Sequence, residues 1–250
     1  WEKVPELLYP LLKKYRMKNT LSFFYTNSPL YFDKRLEEEL ALRKKAIAIA
    51  KELGNTCRLA HALQTKGVIY NYMGDEARTL RCYTRSLKLR EQLEQPREIS
   101  QVYNGMGYFH YLNGRYDEAC RCFNRALEYL KNLREYIEII LTCYNLALVH
   151  FYTGQYARAI DHMEKMFVLI KTLGSANIPF HSRLGLYSVA ALCHLKHGNY
   201  LKGIEYLNKK NGAPERFAND QEYHYHELAG ALAAWYEGKD ADAAGHFDRA

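Results

Sequence analysis

The sequence predicts an all-α fold, a right-handed superhelical solenoid built from antiparallel helical hairpins. Five glycines set its period, because Gly74, Gly114, Gly154, Gly198 and Gly238 follow one another at nearly even intervals of about 40 residues. On both sides of each glycine lies an apolar segment with the 3.6-residue period of an amphipathic helix. One hairpin cannot bury its own apolar face, so consecutive hairpins are expected to stack.

Side-chain size follows the same period. A small residue stands seven positions before each glycine, at Gly67, Gly107, Ala147, Ala191 and Ala231. A bulky residue stands nine positions after it, at Tyr83, Phe123, Met163, Leu207 and Phe247. The small residue lets two antiparallel helices approach closely, and the bulky residue fills the space between hairpins. The glycine itself suits the left-handed conformation that often ends a helix.

The elements are predicted in chain order from this pattern. Residues 1–59 form a divergent N-terminal helical unit or cap, in which "KRLEEELALRKKAIAIAKELGN" is a helix ending at Gly54. Before that helix, Asn27, Ser28 and Pro29 interrupt the place of a first helix. Five hairpins follow, at about 60–98, 99–138, 139–180, 181–215 and 216–250. The fourth is expected to have a short second helix, because "NGAPERF" must break it.

Composition limits the compartment and the class of protein. No apolar run approaches the ~18 residues of a membrane span, and no signal peptide opens the chain. The six cysteines are scattered, which predicts free thiols in a reducing, cytoplasmic compartment. Because the chain starts at Trp1 and stops at Ala250 inside a patterned segment, we interpret it as a piece of a longer protein.

Catalytic and metal-binding patterns are weak. The sequence has no glycine-rich phosphate loop and no nucleophile elbow, so we expect no enzyme, no catalytic residues, no cofactor and no metal. Cys120 and Cys122 are two apart on a helix and point to different sides. His194 and His197 are three apart and can share a face, but one such pair is a weak metal signal.

A histidine column runs through three repeats. His110, His150 and His194 occupy the position that holds Tyr70 in the first clear unit. One interpretation is that histidine replaces a packing tyrosine there. The other is a ladder of histidines that titrates near neutral pH.

The stretch "GMGYFHYLNGRYDEACRCFNRAL" resembles the tetratricopeptide repeat family, with its order of small residue, aromatic, glycine, tyrosine, alanine, aromatic, alanine and leucine. The resemblance covers about residues 60–250. The period of this chain is longer than the family's usual ~34 residues. This longer form is similar to the repeats of kinesin light chains, of Rap-type peptide-responsive regulators, and of the sensor arms of bacterial regulators of the maltose-activator kind.

The resemblance implies a concave groove, lined by the first helices, that binds an extended peptide or a partner helix. Its expected lining is Gln64, Asn71, Tyr72, Gln101, Asn104, Tyr108, Tyr111, Tyr144, Asn145, Phe151, Tyr152, Lys196, Trp235 and Tyr236, with His61 and Thr65 in the first clear unit, Ser188 and Leu192 in the fourth and Tyr225 in the fifth. Such a groove should prefer apolar or aromatic side chains, since its amides can bond a peptide backbone and its aromatic rings supply contact area. With Lys196 as its single basic residue, it does not resemble a clamp for acidic C-termini.

These expectations predict a non-catalytic protein- or peptide-binding module. We expect it to be the regulatory or sensory region of a larger bacterial signalling or transcription-regulator protein. Three alternatives remain. The first is a scaffold for self-association or complex assembly, with a homo-oligomer formed through the C-terminal hairpin. The second is a nucleic-acid-binding repeat array, suggested by the net charge of +7 but lacking a basic inner stripe. The third is a small-molecule sensor pocket among the tyrosines.

Overall fold

The computed structural model describes Lys18 and residues 36–173, 183–209 and 220–249. These ranges contain eleven α-helices and no strand, so the predicted all-α class is confirmed. The helices are α1 (Leu36–Glu52), α2 (Thr56–Tyr72), α3 (Glu76–Gln92), α4 (Pro96–Leu112), α5 (Tyr116–Leu130), α6 (Tyr136–Tyr152), α7 (Tyr156–Leu173), α8 (Arg183–Lys196), α9 (Tyr200–Asn208), α10 (Asp220–Tyr236) and α11 (Asp240–Arg249).

The periodic glycines close the hairpins. Gly114 joins α4 to α5 at a φ of 69°, and Gly154 joins α6 to α7 at a φ of 73°. In both turns the next residue donates its N–H five positions back, from Arg115 to the His110 carbonyl (2.9 Å) and from Gln155 to the His150 carbonyl (2.8 Å). This is the Schellman arrangement, which satisfies the last carbonyls of a helix and reverses the chain.

Two links that precede a hairpin, α1–α2 and α3–α4, use the same turn. Gly54 ends α1 at a φ of 61°, and the side chain of Asn55 then accepts a 3.0 Å hydrogen bond from the Arg58 N–H at the start of α2. Between α3 and α4 the left-handed position holds Glu94, at a φ of 51°. A non-glycine residue in this conformation is strained by about 1 kcal/mol or more.

Close approach of paired helices explains the small residues. A Cβ atom at Gly107 in α4 would lie 2.5 Å from Cε1 of the fully buried Phe123 in α5. One at Gly203 in α9 would lie 2.6 Å from Cγ of Leu195 in α8. The two helices of each hairpin therefore lie so close together that the Phe123 ring or the Leu195 side chain occupies the space where a Cβ atom of the glycine would be.

The chain divides into two compact units, Trp1–Arg134 and Glu135–Ala250. In the first, α2 pairs with α3 and α4 with α5, while α1 packs on α2. In the second, α6 pairs with α7, α8 with α9, and α10 with α11. The expected interruption at residues 27–29 and the expected loop at residues 211–215 lie outside the described residues, and the division into a cap and five hairpins stays a prediction.

Two features of the helices bear on function. No helix in the described ranges is both long enough and apolar enough to cross a membrane. The second helix of the fourth hairpin, α9, has nine residues, whereas α3, α5 and α7 have 17, 15 and 18.

Candidate functional site

In the first unit the predicted groove residues lie on α2 and α4. Tyr72 and Tyr108 remain 43% and 37% exposed, which is unusually open for aromatic side chains. Burial, followed by the neighbouring Tyr108, raises the pKa of Tyr72, so the two hydroxyls are close enough to interact. The rings of Tyr108 and Tyr111 lie 5.9 Å apart. The structure therefore brings the three predicted tyrosines of this unit into one partly exposed aromatic group.

Amide side chains accompany these rings. Gln64 and Asn71 on α2 and Gln101 and Asn104 on α4 are all half-buried. The Gln64 Oε1 atom is buried and accepts no hydrogen bond from any residue that the structure describes. A buried carbonyl left without a donor costs about 1–3 kcal/mol. This oxygen is therefore suited to accept a hydrogen bond from a ligand.

In the second unit the predicted residues divide between exposed and packed positions. Trp235 is 58% exposed, and Tyr152 and Lys196 are also exposed. Tyr144 and Asn145 on α6 are half-buried. The Tyr236 hydroxyl donates a 3.1 Å hydrogen bond to the Leu195 carbonyl, so its polar tip ties α10 to α8.

Some predicted residues contribute to packing. The Tyr111 ring lies 6.3 Å from that of Tyr116, and Phe151 lies 5.9 Å from Tyr156, so each closes its own hairpin across the glycine turn. Ser188, Leu192 and Tyr225 were expected to face the groove, but all three are buried to 2% exposure. The expectation is corrected for these residues, because α8 and α10 pack on each other and α8 also packs on α7 and α9.

The histidine column is largely withdrawn from solvent. His150 stacks on His162 with ring centroids 5.4 Å apart, and His194 stacks on Tyr206 at 5.3 Å. Burial lowers the pKa of His110, His150 and His194. These contacts support the interpretation that the histidines replace packing tyrosines.

The cysteines and the other histidines show no clustering in the described part of the chain. All six cysteines are free thiols, with Cys57 exposed. His194 is buried whereas His197 is exposed, so this pair does not share a face. Across residues 36–173, 183–209 and 220–249, no three histidine, cysteine, aspartate or glutamate side chains come together as metal ligands would.

Sequence reasoning missed two clefts. One, of about 420 Å³, lies in the first unit and is lined by Asn55, Cys57, Arg58, His61, Arg90, Glu98 and Gln101. The other, of about 400 Å³, lies in the second unit and is lined by Phe167, Ile170, Lys171, Tyr187, Tyr206 and Lys209. The first cleft lies mainly between the first helices α2 and α4 and adds Arg90 from the second helix α3, whereas the second cleft is lined mostly from second helices, which the groove prediction did not consider. A signal for the first was present, since Arg90 stands in the repeat position that otherwise holds Ala50, Leu130 and Ile170.

Paired helices joined by left-handed turns at a regular period define a helical-repeat protein. The family model for the tetratricopeptide repeat matches residues 98–166. This match agrees with the resemblance to tetratricopeptide repeats that the sequence predicted. A comparison with curated protein sequences finds no match.

Solved structures of the same class are similar in fold. RapI in its apo form gives a TM-score of 0.73 at 16% identity, over 96% of this chain and 67% of RapI. PilF of Pseudomonas aeruginosa gives 0.65 at 19% identity, over 92% of this chain and 90% of PilF. NprR in complex with its cognate peptide NprX gives 0.56 at 14% identity, over 86% of this chain and 60% of NprR. At these identities the likeness concerns the fold.

Proposed function

We propose that this chain is a non-catalytic module that binds a peptide or an extended protein segment on the α2–α4 surface of its first unit. The observation that carries the proposal is the Gln64 Oε1 atom, which is buried without a donor from the described part of the chain, on the helix that also exposes Tyr72. A peptide backbone N–H supplies the missing donor. The exposed rings of Tyr72 and Tyr108 supply apolar contact area for its side chains.

Repetition along the surface favours an extended ligand. Gln64 and Asn104 lie one repeat apart and hold the same place in consecutive repeats. An amide can donate and accept at once, so two such side chains can bond successive peptide groups of one strand-like segment. A compact small molecule does not need this spacing. The peptide-bound state of NprR, which shares the fold, is consistent with this use of the repeat.

The wider role follows as part of the same proposal. The module is the sensory or regulatory region of a larger bacterial signalling or transcription-regulator protein in the cytoplasm, and ligand binding on α2 and α4 is its input. In the second unit, Asn145, Tyr152, Lys196 and Trp235 form the corresponding candidate contacts, with Tyr144, Phe151 and Tyr236 beside them.

The experiment is selection of binding peptides from a random library on the 250-residue chain, followed by fluorescence anisotropy on the selected sequences. Gln64→Ala and Asn104→Ala should each weaken binding about tenfold, the loss of one or two hydrogen bonds in a desolvated site. Asn124→Ala is the matched control, since Asn124 is an exposed amide on α5, outside this surface. Peptides that bind wild type and both groove variants equally would overturn the proposal.

A further inference from the structure

The first unit contains a deeply buried cation that has no acidic partner among the described residues. Arg90, in the last turn of α3, is 4% exposed. Its Nη1 atom donates to Gln95 Oε1 at 2.6 Å and to Cys57 Sγ at 3.4 Å, whereas its Nε atom is buried and has no hydrogen-bond partner in the described ranges. Among the residues that the structure describes, no carboxylate forms a salt bridge with Arg90.

The other deeply buried arginine of this unit shows the usual solution. Arg43 is 1% exposed, and its Nη2 atom lies 3.1 Å from Glu39 Oε2. Arginine is almost never fully buried unless it is paired, because removing its charge from water costs several kcal/mol. Arg90 therefore lacks a partner that Arg43 has.

The repeat does not require an arginine at this place. Positions 50, 130 and 170 of the column hold Ala50, Leu130 and Ile170, and the first two are buried. An apolar residue is thus usual at this repeat position, and its side chain requires no hydrogen bond there. A buried arginine in this column is a costly departure that a purely structural role does not call for.

The guanidinium lines the first-unit cleft of about 420 Å³, together with Arg58, His61 and the exposed Cys57. Burial lowers the pKa of His61, and the positive charges of Arg90, Arg43 and Arg58 lower it further, as expected in a positive potential. The first turn of α2 also faces the cleft and adds the positive end of its dipole. Glu98 is the one acidic residue of the lining.

From this geometry we infer that the cleft at Arg90 is a binding site for a carboxylate, which supplies the acidic partner that none of the described residues provides. The planar guanidinium can form charge-assisted hydrogen bonds to a carboxylate, and Gln101 at the rim can bond the group that carries it. The carboxylate comes either from a small free acid or from an acidic residue or C-terminus of a peptide. The inference is independent of the amide surface around Gln64.

Cys57 provides the readout, because its Sγ atom lies beside Arg90 and its side chain is exposed. The measurement is the rate at which neutral N-ethylmaleimide alkylates Cys57 in the 250-residue chain, followed on the tryptic peptide 52–58 by mass spectrometry. Cys120, on the peptide 116–121, is outside the cleft lining and serves as internal reference. Three probes are compared at constant ionic strength: succinate, the peptide Ac-Ala-Ala-Ala-Asp with a free C-terminus, and the uncharged peptide Ac-Ala-Ala-Ala-Asn amide.

Saturable protection of Cys57 by a carboxylate probe, with none by the uncharged peptide, is the expected result. Arg90→Leu, which introduces the residue of the next repeat, should raise the half-protecting concentration at least about tenfold. Arg85→Leu removes an exposed arginine from the same helix and should leave it unchanged. Equal potency of succinate and acidic peptide assigns the site to small acids, and greater potency of the peptide assigns it to a peptide carboxylate.

Protection that persists in Arg90→Leu would overturn the inference, and so would the absence of saturable protection by either carboxylate probe in the wild-type chain. Should Arg90→Leu fail to fold by circular dichroism, Arg90→Lys takes its place. That variant keeps the charge but loses the planar fork, and it should still weaken protection. Failure of this experiment leaves the peptide proposal intact, since Gln64 and Asn104 are not in the cleft lining.

Discussion

The hydroxyl oxygens of Tyr152 and Tyr225 lie 2.8 Å apart and connect α6 with α10. Within the second unit these two helices do not pack on each other; each packs on α8. Tyr225 is buried, whereas Tyr152 is exposed on the predicted groove side. One hydrogen bond thus ties the first helix of the third hairpin to that of the fifth.

Removing either hydroxyl should weaken the second unit. Tyr152→Phe and Tyr225→Phe should each lower the free energy of unfolding by about 1 kcal/mol. The double variant should cost less than the sum of the two, because both single changes delete the same bond. Urea denaturation of the four chains gives the coupling energy. The control is Tyr156→Phe, because the Tyr156 hydroxyl bonds no described residue. Strict additivity of the Tyr152 and Tyr225 variants would show that their two hydroxyls act independently.

Gly107 should not tolerate a methyl group. In Gly107→Ala the new Cβ would lie 2.5 Å from the buried Phe123 ring, and such overpacking costs about 1–3 kcal/mol. That loss should exceed the helix-propensity gain of about 1 kcal/mol that alanine brings. Gly105→Ala, two residues away, meets Tyr83 Cε1 at 3.1 Å and should be much milder. The measurement is the urea midpoint of each variant, and equal stability of Gly107→Ala and wild type would contradict the packing account.

Stability should fall on mild acidification. Burial, followed by the neighbouring His150, lowers the pKa of His162 from 6.5 to about 4, so the unfolded chain binds a proton more readily than the folded one. The contribution of neutral His162 to the free energy of unfolding is therefore fully present above about pH 6.5, and it is lost as the pH falls toward 4. The measurement is the melting temperature between pH 7.5 and about 5. Carboxylates ordinarily titrate below this range, so a change in melting temperature within it reports the titration of histidines.

A variant identifies the source of that pH dependence. His162→Phe keeps the ring that stacks on His150 and should flatten the decline in melting temperature. His197→Phe, at an exposed position, should not. The same slope in wild type and His162→Phe would assign the effect to other groups.

Self-association through the last hairpin stays a prediction, and the 58% exposure of Trp235 gives it a test. We expect the weight-average mass from light scattering to rise with concentration. Trp235→Ser should remove the rise, because an exposed indole can anchor such an interface. Tyr72→Ser, a similar loss of exposed ring in the first unit, is the control. A constant monomer mass in the wild type would exclude association in the range measured.

The turns could be read from the sequence because their causes are local. A glycine such as Gly114 is needed wherever the backbone takes a positive φ, so the pattern marks each turn directly. The fixed places of the small Gly107 and the bulky Phe123 could also be read from the repeat, but the bulky residue was expected between hairpins, whereas Phe123 packs against Gly107 within its own hairpin. The turn at Glu94 could not be predicted in this way, because glutamate does not favour the positive φ that this residue adopts.

The site was less predictable, because exposure depends on what neighbouring helices cover. Ser188 has the column position of Asn104, yet it is buried in the second unit, where α8 is covered by other helices. The carboxylate cleft was missed because Arg90 lies on a second helix, while the resemblance drew attention to the first helices alone. In the sequence, Arg90 was distinguished only because it is a charged residue at a repeat position that is otherwise apolar.

The turn geometry has a consequence for how such chains evolve. In the first unit the same backbone bond recurs at the ends of α1, α2, α3 and α4, with the N–H donors at Asn55, Asp75, Gln95 and Arg115. A deletion that begins at one of these bonds and ends at the second bond further along the chain removes one complete hairpin. The two ends that are then joined have the same turn geometry. Duplication or deletion of a gene segment between two such bonds therefore lengthens or shortens the protein without creating a new kind of junction, and the number of repeats can change while each remaining one keeps its neighbours' contacts.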